Sequence, residues 1–212
     1  MGGYPVILKL EGIRCVVIGG GAVAERKTAG LLDAGADIVI VVSPSLTLQL
    51  RKLAESGRIT AEIKEYEQSD IRGAGLVFAA TDSREVNARV ASDAARAGVM
   101  VNTADEGSGG SFITPAVVRR GDLLLAVTTS GASPALAAHI RQELEHRYGP
   151  RYEAALRDLK RLREELKKLV PDAVKRKELL REAAQRMNAE LTASEVHAVR
   201  ERNPGDADVE QH

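Results

Sequence analysis

Cysteine is almost absent from this chain: Cys15 is the only one in 212 residues. No intrachain disulfide can form, which excludes a disulfide-built secreted scaffold. Cys15 sits inside an apolar run and reads as a small buried residue. An excess of one charge is lacking as well, since Lys+Arg and Asp+Glu both number 30. A balanced chain carries no electrostatic footprint for nucleic acid or an anionic membrane surface. No apolar run approaches the roughly 18 residues that a membrane span needs, and no basic segment leading into a long apolar stretch opens the chain. The expected location is the reducing cytoplasm. Metal-ligand pairs are missing too. His139 and His146 share one helical stretch, His197 and His212 come much later, and none stands beside another His or the single Cys. No structural zinc or preformed iron site is expected.

What is present begins with residues 16–24, Val-Val-Ile-Gly-Gly-Gly-Ala-Val-Ala, an apolar strand running into a glycine turn. The pattern is G-x-G-x-x-A, with Gly19, Gly21 and Ala24 at the special positions. Gly19 allows the tight turn from strand to helix. Gly21 has no Cβ, so a pyrophosphate can approach the backbone, and Ala24 lets the helix pack close to the strand. The N–H groups and positive end of the following helix then face the phosphates. A strand over Ile13–Ile18 before the turn and a helix-forming run over Ala24–Leu32 after it make this a nucleotide-binding turn. Tyr-x-x-x-Lys, which a short-chain dehydrogenase needs, is absent: the residues four after Tyr4, Tyr66, Tyr148 and Tyr152 are Leu8, Asp70, Tyr152 and Leu156.

From Ile13 to Asn102 strands and helices alternate. Asp37–Val42, Ile59–Lys64, Gly75–Ala80 and Val99–Asn102 read as further strands. The β-branched run at Asp37–Val42 suits a strand buried on both faces. Helices are expected over Leu46–Ser56, capped by Ser43 or Ser45 with Pro44 at the entrance, and over Ser83–Ala97, stopped by Gly98. This repetition predicts an α/β fold with a Rossmann-like parallel sheet. The pattern then changes. Ser111–Val118 and Leu123–Thr129 look like the arms of a β-hairpin turned at Arg119–Asp122. Ser133 and Pro134 start a helix that ends near Tyr148. From Arg151 to Arg202 the chain is charged and helical, broken at Pro171, with a stripe of Leu156, Leu159, Leu162, Leu166 and Leu169 that must pack on something. The expected organisation is a nucleotide-binding domain at 1–112, a small hairpin-and-helix segment at 113–149, a C-terminal helical domain at 150–202 and a disordered polar tail at 203–212.

Five blocks in this order resemble one family. They are Gly19-Gly20-Gly21-Ala22-Val23-Ala24-Glu25-Arg26-Lys27, Ala79-Ala80-Thr81-Asp82 with Val86-Asn87, Val101-Asn102-Thr103-Ala104-Asp105, Ser111-Phe112-Ile113-Thr114-Pro115-Ala116, and Thr129-Ser130-Gly131-Ala132-Ser133-Pro134-Ala135-Leu136-Ala137. Over residues 4 to 147 the chain is similar to the precorrin-2 dehydrogenase family, the dehydrogenase module of siroheme synthases. The resemblance implies NAD-dependent oxidation of precorrin-2, a small-molecule tetrapyrrole, to sirohydrochlorin. It implies cofactor contacts at Ala22, Val23, Ser43 and Pro44, to which the second block adds Thr81 and Asp82. It also implies a catalytic carboxylate at Asp105 and a homodimer joined through 113–149. Some family members go on to insert ferrous iron. Thr128 and Thr129 stand where many members carry serine.

The chemistry of the residues agrees in part. Dehydrogenating a reduced tetrapyrrole needs a hydride acceptor and a group that takes a proton. Asp105 follows the fifth strand, at the sheet end where doubly wound folds place ligands. It could equally end a strand and form a turn with Gly107. The substrate carries many carboxylates, for which Arg119, Arg120, Arg141 and the Ser130–Ser133 loop are candidate partners. An acidic residue at the end of the second strand, the usual ribose ligand, is lacking; Val41-Val42-Ser43-Pro44 stands there, so NAD over NADP follows from the resemblance alone. The rival reading is an NAD-sensing module without catalysis. It accounts for the first hundred residues equally well but not for the blocks from Asp105 to Pro134.

Overall fold

The computed structural model describes residues 3–104 and 109–202, with side chains as far as residue 193. Residues Tyr4–Thr114 form one compact unit, and the described residues from Pro115 onward belong to a second.

The first unit is a parallel sheet of five strands: β1 (Arg14–Ile18), β2 (Ile38–Val42), β3 (Thr60–Glu62), β4 (Leu76–Ala79) and β5 (Met100–Thr103). Their order is β3-β2-β1-β4-β5, so the chain reverses direction across the sheet between β1 and β4. The strands are apolar because both faces are covered. Cys15 and Val17 of β1, Val39 and Val41 of β2, and Leu76 and Phe78 of β4 point to one face, where Ala24, Leu31 and Leu50 meet them. Those last residues come from helices α1 (Ala22–Asp33) and α2 (Leu48–Glu55). Val16, Ile18, Ile40, Val42, Val77 and Ala79 point to the other face, against Val90, Ala91 and Ala94 of α3 (Arg84–Ala97). Cys15 is fully buried, and burial, with the Asp37 charge as a smaller cause, pushes its thiol up to about 11.

Several expected boundaries move. The helix expected at Leu46 starts at Leu48, and its cap is Thr47, whose hydroxyl accepts from the Leu50 N–H at 3.3 Å. Ser43 lies before the loop that leads to the helix, and its hydroxyl accepts instead from the Ser45 N–H at 3.5 Å. The third strand is shorter than expected, ending at Glu62 with Ile63 exposed. Ser111–Pro115 are not part of a hairpin arm. Ser111 N–H donates to Val101 O at 2.8 Å, and Asn102 Nδ2 donates to Phe112 O at 3.0 Å, so this segment is stitched to the edge of β5.

In the second unit, β6 (Ala116–Arg120) and β7 (Leu123–Val127) pair antiparallel. Arg119 and Arg120 belong to β6 rather than to the turn. The turn is Gly121-Asp122, with Gly121 at a φ of +57°, which suits the first position of a II′-type hairpin. Helices α4 (Pro134–Arg147), α5 (Arg151–Leu169) and α6 (Ala173–Arg202) follow, and α5 and α6 contact each other. Ser133 caps α4 by accepting from Leu136 N–H at 3.2 Å. Leu156, Leu159, Leu162 and Leu166 of the leucine stripe are half-buried, while Leu169 stays exposed. The tail 203–212 lies outside the described residues.

The tightest packing in the first unit is between pieces of backbone. Gly19 has a φ of +125°, and a Cβ there would lie 2.3 Å from the Ala80 carbonyl oxygen. A Cβ on Gly20 would lie 1.9 Å from the Ser45 carbonyl oxygen and 2.8 Å from Ser43 Oγ. A backbone carbonyl cannot swing aside as a long side chain can. Gly20→Ala is therefore expected to destabilise the protein by about 2 kcal/mol or more, the scale of overpacking a filled site. Urea denaturation measures it; a midpoint equal to wild type would contradict this packing.

Candidate functional site

The carboxyl ends of β1, β2, β4 and β5 meet around the glycine turn, and the reversal of strand order beside β1 opens the crevice where such sheets take ligands. Gly21 differs from its two neighbours. A Cβ built on it meets nothing within 4 Å, so the space in front of it is open. It is also the N-cap of α1, and no side chain caps that helix. By contrast α2 and α3 are capped by Thr47 and Ser83. An N-terminus left without a side-chain partner, with its positive dipole end beside an open glycine, is a ready site for a phosphate group. Ala24 is fully buried and brings α1 against β1. The residues thus fit a dinucleotide: the backbone of the turn for the pyrophosphate, with one nucleotide on each side of the switch point.

The other expected cofactor residues fall around the same crevice. Ala22 is exposed and Val23 half-buried in the first turn of α1. Ser43 is buried and Pro44 exposed just past the end of β2. Thr81 and Asp82 follow β4, Asp82 being exposed. Thr81 is held by Asn87 of α3, which lies fully buried. Thr81 N–H donates to Asn87 Oδ1 at 3.1 Å, and Asn87 Nδ2 donates back to Thr81 O at 3.0 Å. A buried amide that satisfies both polar groups of one residue's backbone fixes the path of the loop after β4. Asn87 was legible only as part of a motif; its role needed the structure.

Asp105 lies outside the described residues. The chain up to it is fixed: Ala104 N–H donates to Ala79 O at 2.9 Å, tying the end of β5 to the end of β4. Asn102, beside Phe78 in the β4–β5 register, is buried and leaves its Oδ1 without a partner among the described residues. Such an acceptor is costly unless a ligand or water donates to it.

Lys27 is a feature that sequence reasoning missed. It sits on α1, half-buried, with its Nζ donating to Thr114 Oγ1 at 2.6 Å and standing 5.5 Å from the centre of the Phe78 ring. Burial, and secondarily the Arg26 charge, push its amine down to about 8.

The basic residues expected to hold carboxylates are in the second unit, and two are already engaged. Arg120 donates to Glu145 O at 3.2 Å, and Arg141 donates to Glu145 Oε2 at 2.6 Å. Arg119 is exposed. Ser130 is exposed at a φ of +53°, and the Ser133 hydroxyl is spent on capping α4. Among the described residues no group of three or more His, Cys, Asp or Glu side chains could hold a metal ion.

Comparison with known proteins gives the same reading. A family model described as "Putative NAD(P)-binding" matches residues 6–116, and one described as sirohaem biosynthesis protein central matches residues 120–147. The siroheme synthase of Methylococcus capsulatus is 41% identical over 168 residues, covering 79% of this chain and 35% of that protein. Siroheme synthase 1 of Aeromonas salmonicida is 43% identical over 141 residues, covering 66% of this chain and 30% of its own. The chain thus spans about a third of the length of the curated relatives it matches. Among solved structures, SirC, a precorrin-2 dehydrogenase, superposes with a TM-score of 0.72 at 28% identity, covering 88% of this chain and 99% of that one. The chain belongs to the family described as putative NAD(P)-binding.

Proposed function

We propose that this chain oxidises precorrin-2 to sirohydrochlorin with NAD as the hydride acceptor, on the route to siroheme. The observation that carries the reading is the pairing of an uncapped α1 N-terminus with the open backbone at Gly21, on a sheet whose strand order matches the dinucleotide-binding type. Gly19, Gly21, Ala22 and Val23 would hold the pyrophosphate, and Ser43 and Pro44 the adenosine side. Thr81 and Asp82 border the other half, where the ring that accepts hydride would lie. The unpartnered Asn102 oxygen supports this placement, since a nicotinamide carboxamide or a pyrrole N–H brings the donor it lacks.

The oxidation removes two hydrogens from the substrate. One leaves as hydride to the cofactor, and the other leaves as a proton, which needs a base. Asp105 is the proposed base. Arg119, Arg120, Arg141 and the Ser130 and Ser133 positions are the proposed contacts for substrate carboxylates in the second unit; for Arg120 and Arg141 this requires release from Glu145. We take the working form to be a cytoplasmic homodimer joined through residues 113–149, in keeping with the exposed apolar side chains of Ile113, Val117 and Leu136 there. No described helix is long and apolar enough to cross a membrane.

Anaerobic incubation with precorrin-2 and NAD should produce NADH and the absorbance of sirohydrochlorin; cofactor binding without NADH formation would favour a sensing module. Ferrous iron added afterwards reads any second, chelating activity. NADP should support far lower kcat/KM than NAD, and comparable values would contradict the cofactor assignment. Asp105→Ala should keep NAD affinity and lower turnover by roughly 10²-fold or more, as loss of a proton acceptor does. Unchanged turnover removes Asp105 from the mechanism. Gly21→Val places a branched side chain where the pyrophosphate would sit, at a position whose Cβ meets nothing within 4 Å in the folded protein. It should therefore weaken NAD binding by roughly 100-fold while leaving the urea midpoint near wild type, and calorimetric titration measures it.

A further inference from the structure

The first unit contains a cation with no anion beside it among the described residues. Lys27 Nζ has two described neighbours, the Thr114 hydroxyl and the face of Phe78, and no carboxylate among the described residues pairs with it. Elsewhere in the same unit the lysine next to the sheet is fully matched: Lys64 donates to Glu67 Oε2 at 3.3 Å and stands 2.6 Å from Asp70 Oδ1. An ammonium that is half-buried without a counter-charge loses solvation and gains little in return. The charge is retained at a cost that a methionine of similar length would avoid.

Its position gives the cost a purpose. Phe78 is one residue before the carboxyl end of β4, and Phe112 packs edge-on against it with ring centres 5.6 Å apart. The Ser111–Thr114 segment lies along β5 through the Val101 and Asn102 hydrogen bonds. Lys27 and Thr114 therefore stand on the β4–β5 side of the switch point, away from the β2 side proposed for the adenosine. The two groups also form a donor pair. Thr114 Oγ1 accepts from the ammonium, which leaves the hydroxyl proton free to point at a ligand, and the ammonium keeps two further N–H bonds. Two adjacent donors, one of them charged, match the two oxygens of a carboxylate.

We infer that Lys27 and Thr114 bind one side-chain carboxylate of the tetrapyrrole and hold the macrocycle against the reactive half of the crevice. The inference rests on the dehydrogenase reading above and adds the substrate contact within the nucleotide-binding unit. Lys27 does no chemistry; it positions the substrate.

Titrating the 212-residue chain with sirohydrochlorin, the product of the proposed reaction, tests it, alongside NAD titration, thermal melting and turnover. Lys27→Met should weaken sirohydrochlorin binding roughly tenfold or more, the range for losing a charge-assisted hydrogen bond. KM for precorrin-2 should rise more than kcat falls, while the NAD dissociation constant stays at its wild-type value and Tm at or above wild type. Lys27→Arg should recover part of the affinity, and Thr114→Val should show a smaller loss than Lys27→Met. Sirohydrochlorin affinity within twofold of wild type in Lys27→Met overturns the inference. So does a loss shared equally by NAD affinity and Tm, which is what a purely structural tie to Thr114 produces. Wild-type turnover separates the two levels: an active wild type with an unaffected Lys27→Met sinks the Lys27 assignment alone, and an inactive wild type sinks both.

Discussion

Backbone pressed on backbone governs this molecule. The end of β1 is wedged between the Ala80 carbonyl that follows β4 and the Ser45 carbonyl that follows β2, and only residues without a Cβ fit there. That contact brings three strand ends to one line. It also decides which glycine is left over: with Gly19 and Gly20 consumed by packing, Gly21 faces open space at the start of α1. The site is thus a by-product of how closely the sheet's loops can approach, and its polar groups are left unspent where the packing stops.

The distribution of satisfied and unsatisfied groups follows that division. On the α3 face, polar residues are paired off. The Tyr66 hydroxyl donates to Asp93 at 2.9 Å, Arg96 also bonds Asp93, and Asp70 is held by Lys64 and by the Glu67 N–H. Burial first, and the Asp93 bond second, push the Tyr66 hydroxyl well above its ordinary range. Those networks complete themselves and hold the fold. Around the crevice the reverse holds among the described residues: a helix without a side-chain cap, an Asn102 oxygen without a partner and a Lys27 charge without a carboxylate. Groups left without a partner at this end of the sheet are ones a ligand can complete, whereas Arg14 Nε, Thr28 Oγ1 and Arg120 Nε are buried without a partner elsewhere among the described residues.

Much of this was legible in the sequence because local chemistry and fold agreed. The β-branched run at residues 38–42, the Ser83 cap and Gly98 stop of α3, and the Ser133-Pro134 start of α4 each have a short-range cause, and each element lies where that cause puts it. The G-x-G-x-x-A pattern gave the turn, yet it assigned no role to Gly20, which has the closest carbonyl of the three glycines. That crowding comes from Ser45, whose approach depends on the β1–β2 pairing. Misread boundaries share this origin. Ser111–Pro115 has strand-like composition, but Val101 and Asn102, far back in the chain, claim its hydrogen bonds. The sequence placed Lys27 only at the end of the first block, and its contacts with Thr114 and Phe78 come from the fold. Neither contact leaves a periodic trace.

The central claim is that the N-terminus of α1 and the ends of β4 and β5 together receive a dinucleotide. Backbone amide shifts of isotope-labelled protein, followed by NMR during NAD titration, test this directly. The account predicts the largest changes at Gly20–Val23 and at Thr81, Asp82 and Thr103, with the amides around Tyr66 and Asp93 nearly still. Saturable binding that leaves the Gly20–Val23 amides unmoved would contradict it.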